Sequence, residues 1–252
     1  MEKLSFEICA NGVESALAAQ EAGADRVELC AGIPEGGTTP SYGEIAQARL
    51  LLKATRLHVI IRPRGGDFSY SQQELDRMAM DIDVCRDLGA DGVVIGCLTP
   101  EGDVDMSACR MLMSHAGKMS VTFHRAFDRC PQPERAMEDI ISLGCSRILT
   151  SGQQPTAEKG IPMLRHLQEL ADGRIIIMAG CGVNEDNIAR IRQETGVTEY
   201  HFSAREGVPS PCSYMHAAVY MGREDAHEDL RPLTTARRVR TTIEACKLAN
   251  NE

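Results

Sequence analysis

Residues able to do chemistry collect in and just after a few short apolar runs of this 252-residue chain. Glu7 lies within Phe6–Cys9 and Glu28 within Arg26–Cys30, each a lone carboxylate among apolar neighbours. Such a group is costly to bury unless paired. Two of them read either as acid–base carboxylates or as partners of arginines such as Arg26 or Arg62. Side-chain alternation puts Cys9 on the face of Glu7 and Cys30 on the face of Glu28. The run His58–Asp67 releases Arg62 and Arg64 directly before Gly65 and Gly66, with Asp67 next. Guanidinium forks match carboxylate or phosphate, and glycine lets backbone come close to a ligand, so this segment reads as an anion site. Internal pairing of the two arginines with Glu7, Glu28 or Asp67 is the competing reading.

The run Val121–Asp128 carries His124, Arg125 and Asp128 together. An unperturbed imidazole titrates near neutrality, so His124 is the natural proton-transfer group, with Asp128 joining Glu7 and Glu28 as a candidate acid or base. His201 and Ser203 repeat the pattern in Glu199–Ser203. Ser151 and Gly152, and Gly180 and Gly182, end two further runs where backbone amides can turn toward a bound anion. The sequence has no H-E-x-x-H, no G-x-S-x-G, no Walker loop and no strand-end lysine suited to a Schiff base. Those absences disfavour a zinc protease, a serine triad, nucleotide hydrolysis and lysine aldol chemistry.

What must position these groups is a succession of short apolar runs separated by longer helix-like stretches, the pattern of βα units. The predicted strands are Phe6–Cys9, Arg26–Cys30, Leu57–Arg62, Gly92–Cys97, Ser120–His124, Arg147–Ser151, Arg174–Ala179 and Glu199–Ser203. The predicted helices are Val13–Ala22, Tyr42–Ala54, Gln72–Leu88, Met106–Ala116, Glu134–Leu143, Ala157–Ala171, Glu185–Glu194 and Thr235–Ala249. Ser41 with Glu44, and Ser71 with Glu74, fit reciprocal capping boxes. Gly23, Gly89, Gly144 and Gly196 each follow a helical stretch and precede a strand, a faint repeat of two-βα period that suits left-handed helix ends. Eight βα units in this length predict a single-domain (β/α)8 TIM barrel, with sites at the strand C-termini. A doubly wound open sheet is the alternative, but Cys9-Ala10-Asn11-Gly12 lacks the G-x-G-x-x-G turn of a dinucleotide fold. Residues 205–232, rich in Pro, Gly and Ser, are too long for an ordinary loop and read as a lid-like insertion, an oligomer contact or a disordered insertion.

Composition narrows the partners. Thirty-six acidic against 27 basic residues give a formal charge of -9, and Trp is absent, so a nucleic-acid surface is disfavoured. No run of eighteen apolar residues exists to span a membrane. The ten cysteines form no C-x-x-C pair, and the N-terminus shows no secretory pattern, which together point to reduced thiols in the cytoplasm.

The strings Arg26–Ala31, Ile61–Phe68, Val121–Asp128 and Arg147–Gly152, in this order, closely resemble the CutC family, named for copper homeostasis. The resemblance runs from about residue 5 to residue 204. It implies a single-domain cytoplasmic barrel that is dimeric or otherwise homo-oligomeric, and it implies copper. Cu(I) prefers thiolate ligands, and Cys30 with Cys97, at two strand ends, are the expected pair, with Cys9 nearer the barrel floor. Two readings therefore stand: a homeostasis protein holding Cu(I) through cysteine, and a barrel enzyme moving a proton on a small anionic, sugar-like or phosphorylated metabolite.

Overall fold

The computed structural model describes residues 3–214, Val219 and residues 229–248. Eight parallel strands form the ring: β1 Ser5–Ala10, β2 Arg26–Leu29, β3 Arg56–Ile60, β4 Gly92–Ile95, β5 Ser120–Phe123, β6 Arg147–Thr150, β7 Ile176–Gly180 and β8 Glu199–Phe202. Each pairs with the next in chain order, and β8 returns to β1 with Glu7 opposite His201. That last pairing closes the barrel and disposes of the open-sheet alternative.

The helices are α1 Val13–Glu21, α2 Tyr42–Leu51, α3 Gln72–Asp87, α4 Met106–Ala116, α5 Pro133–Leu143, α6 Ile161–Ala171, α7 Ile188–Thr195 and α8 Ala236–Leu248. Ser71 and Glu74 complete a reciprocal capping box at α3. Ser41 accepts from the Glu44 amide at α2, but no return bond from Glu44 completes the box there. Strands β2, β4, β6 and β8 are buried at every position, as expected of a parallel sheet covered on both faces.

Strand alternation sorts these residues into two layers. Val27, Leu29, Val93, Ile95, Phe123 and Ile148 pack outward with the helices in one apolar core. The barrel floor is ionic instead of filled by the usual aliphatic layers. Arg26 reaches the Glu7 carboxylate and, at 2.6 Å, that of Glu199. Arg147 donates to Glu199 at 3.1 Å and to the Thr122 hydroxyl at 3.2 Å. Every charge there has a counter-charge, without which burial would be prohibitive.

After β8 the chain forms an antiparallel ribbon of β9 Arg205–Pro209 with β10 Leu230–Thr234. The ribbon is pinned to the start of α1: the Thr234 amide donates to the Ser15 hydroxyl at 3.1 Å, and Asn11 donates to the Pro232 carbonyl at 2.6 Å. The two ends of the expected insertion are thus strands, while residues 215–218 and 220–228 lie outside the described residues.

Candidate functional site at the barrel mouth

At the C-terminal ends of the strands a cavity of about 470 Å³ is lined by Cys9, Glu28, Cys30, Arg62, Phe68, His124, Arg125, Asp128 and His201, among others. Pairing of β1 with β2 sets Cys9 level with Glu28, so Cys9 stands at the mouth and not near the floor. Its sulfur lies 3.9 Å from that of Cys30, and one ligand atom each from Cys9, Glu28 and Cys30 fall within 4.8 Å of one another.

The electrostatics of this cluster are lopsided. Hydrogen bonding from the Cys30 thiol, with the charges of His201 and Arg205, holds the Cys9 thiol well below its ordinary range despite burial. Cys30 is driven the other way by the same hydrogen bond, by burial and by the Cys9 charge. Arg205, from the ribbon, places its guanidinium 3.0 Å from the Cys9 sulfur. His201 hydrogen-bonds the Glu7 carboxylate at 2.7 Å. Burial works against its protonation, but bonding to Cys9 and the neighbouring carboxylates hold its pKa well above the usual value. Glu28 is pushed up to about 8, chiefly by burial and then by the charges of Cys9 and Glu7, and one of its oxygens has no partner.

The rest of the wall comes from the segments after β3 and β5. Arg62 is buried, its guanidinium donating to the carbonyls of Glu35, Gly37 and Gly66 at 2.7, 2.9 and 3.0 Å. His124 accepts from the Ala126 amide through Nδ1 at 3.1 Å, while Nε2 has no partner. Burial, reinforced by the Arg62 charge, lowers its pKa to about 3. The ring fits because β4 is followed by Gly96, where a Cβ would come within 2.4 Å of it. Asp128 accepts from Arg125 at 2.8 Å, from the Thr150 hydroxyl at 2.5 Å, and from the amides of Ser151 and Gln153.

The sequence model of the CutC family matches residues 4–206. A CutC family protein of Bacteroides thetaiotaomicron is 62% identical over 250 residues, covering 98% of this chain and all of the relative. The chain belongs to the CutC family. A Chromobacterium violaceum CutC family protein is 52% identical over 245 residues, covering 97% of this chain and 98% of the relative. The crystal structure of a Streptococcus agalactiae CutC, described as a candidate copper homeostasis protein, superposes with a TM-score of 0.77 at 36% identity, covering 79% of this chain and 98% of that one. Phosphoribosylanthranilate isomerase of Thermotoga maritima, at 15% identity and a TM-score of 0.57 over 97% of this chain and 98% of that one, shares the fold alone.

Several expected site residues of this CutC chain stand elsewhere. Cys97 does not meet Cys30: it continues the outward face of Val93 and Ile95, joins the helix-side core and interacts with Cys109 of α4. Arg64 is neutralised outside the cavity by Asp67 and Glu74, at 3.1 and 2.6 Å, so neither Arg64 nor Asp67 lines it. Glu7 lies below the mouth, held between Arg26 and His201, and so positions His201. His124 lines the cavity, its Nδ1 held by the Ala126 amide and its pKa lowered so that the neutral ring is favoured. The amides of Ser151 and Gln153 serve the chain's own Asp128, that of Gly152 donates to the Thr150 hydroxyl, and Gly152 packs on Gly160. Gly180 faces Leu149 and His201 inside the barrel, and Gly182 abuts Thr156. Ser203 contributes its carbonyl to Thr234 of the ribbon. Sequence reasoning missed Arg205, although an arginine two or three residues past a strand end is a signal it shares with Arg62 and Arg125.

Proposed function

We propose that this CutC chain binds Cu(I) as cargo between the thiols of Cys9 and Cys30 and acts in copper homeostasis. The observation that carries this reading is the pair of sulfurs 3.9 Å apart at an accessible barrel mouth. Soft thiolates select Cu(I), and a thiol held low in pKa is partly prepared as a ligand. Glu28, a hard oxygen donor beside the pair, suits Cu(I) poorly. The proposed site is therefore two-sulfur, with His201 and Arg205 supplying the positive charge that balances the thiolates. All ten cysteines are free thiols, which supports a reducing compartment and hence the cytoplasm. Assembly as a homodimer or larger homo-oligomer is part of the same proposal and is read by light scattering.

The test is an anaerobic Cu(I) titration against a competing chelator. About one tight equivalent per chain is expected, absent in Cys9→Ser and in Cys30→Ser, and retained in Cys97→Ser. Undiminished stoichiometry in the Cys9→Ser/Cys30→Ser double variant overturns the proposal.

A further inference from the structure

The cavity also carries donors, after β3 and β5, that a copper site does not use. Arg62 is 5% exposed, and its guanidinium is met by three backbone carbonyls; among the described residues no carboxylate forms an ion pair with it. A buried charge left without a counter-charge is expensive. Its Nε–H also has no well-aligned acceptor, although the guanidinium interacts with the Tyr70 hydroxyl. His124 is likewise 5% exposed. Because its Nδ1 accepts from the Ala126 amide, the neutral ring carries its hydrogen on Nε2, which has no acceptor in the chain. The Phe68 ring stands 5.1 Å from the Arg62 guanidinium and 5.0 Å from the His124 ring, setting one cation and one neutral donor on the same wall.

We infer that this cavity binds a small 2-oxo or 2-hydroxy carboxylate, its carboxylate against Arg62 and its adjacent oxygen accepting from His124 Nε2. The cavity's volume of about 470 Å³ falls in the range of small-molecule sites. Ile60, Leu149 and Phe68 line it beside the donors and suit a short carbon chain. A dianionic phosphate is disfavoured twice. Glu35 and Asp128 are among the lining residues and oppose a second negative charge, and the amides after β6 that could cradle phosphate already serve Asp128 and Thr150.

The ligand site and the copper site share a cavity but use different side chains, so the two readings fail separately. The experiment is isothermal titration of metal-free protein with pyruvate, lactate and inorganic phosphate, with ¹⁵N-histidine spectra of the same samples. Pyruvate or lactate should bind saturably and move the His124 Nε2 resonance. His124→Asn, which keeps an acceptor for the Ala126 amide but loses the Nε2 donor, should weaken binding about tenfold, and Arg62→Gln should abolish it. The Cys9→Ser/Cys30→Ser double variant should keep its affinity within about twofold, since neither thiol is assigned to the ligand. Absence of saturable binding with an unmoved Nε2 resonance overturns the inference. So does binding of phosphate alone, unchanged affinity in His124→Asn, or loss of binding in the double cysteine variant.

Discussion

His58 gives the sharpest prediction about how this barrel responds to acid. It projects from β3 into the interior at 1% exposure, and its Nδ1 has no partner. Burial, and then the Arg26 and Arg147 charges acting against the pull of Glu7, push its pKa down to about 3. An unfolded chain returns the imidazole to about 6.5. Because the folded value lies below the unfolded one, the neutral ring's stability is fully present above about pH 6.5 and is lost as pH falls toward 3. At about 1.4 kcal/mol per pH unit, acidification to about pH 5 removes about 2 kcal/mol for His58, and His124, lowered to the same value, removes a similar amount. The assay is urea unfolding of the wild type and His58→Leu at about pH 7 and about pH 5. The variant should lose about 2 kcal/mol less than the wild type over this interval. Equal losses in the two proteins would refute the buried, neutral His58.

Three further outcomes are expected. Glu7→Ala leaves Arg26 with only Glu199 and His201 with only the more distant carboxylate of Glu28, at 3.7 Å; the cost should fall near 3 kcal/mol, the low end for a broken buried pair, and a denaturant midpoint within error of wild type would contradict the floor network. Gly96→Ala drives a methyl into the His124 ring, so ¹⁵N-histidine spectra should show His124 displaced and thermal unfolding should report a loss of about 1–3 kcal/mol. Arg64→Ala breaks two half-exposed ion pairs, the bonds to the carbonyls of Gly65, Asp67 and Ser69 and the contact with the Tyr70 ring; it should cost about 1–2 kcal/mol while leaving pyruvate and Cu(I) affinities unchanged, and loss of either would return Arg64 to the site.

The eight strands and their order were legible because short apolar runs alternate with helix-like stretches throughout, and Gly23, Gly89, Gly144 and Gly196 mark the helix ends before the even-numbered strands. The ends of strands were less so: Arg62, His124 and Ser151, read as strand residues, fall one or two residues past the ends of β3, β5 and β6. Alternation correctly put Cys9 and Cys30 beside the two glutamates. The pairing of Cys30 with Cys97 failed on the same rule, since Cys97 is an even step from Val93 and Ile95, which point out to the helices. Arg64 could not be separated from Arg62 by type or spacing, because the difference lies in Glu74, brought near by the capped start of α3. Arg205 was hidden by the unusual composition after β8, where only the ribbon's docking on α1 turns it back over Cys9.

The central claim, a two-sulfur Cu(I) site at the barrel mouth, is tested most directly by copper K-edge X-ray absorption of the anaerobically loaded protein. The account predicts a Cu(I) centre with two sulfur neighbours, a signature lost in the Cys9→Ser/Cys30→Ser double variant. A coordination sphere of nitrogen and oxygen, or a sulfur signature that survives in the double variant, would contradict it.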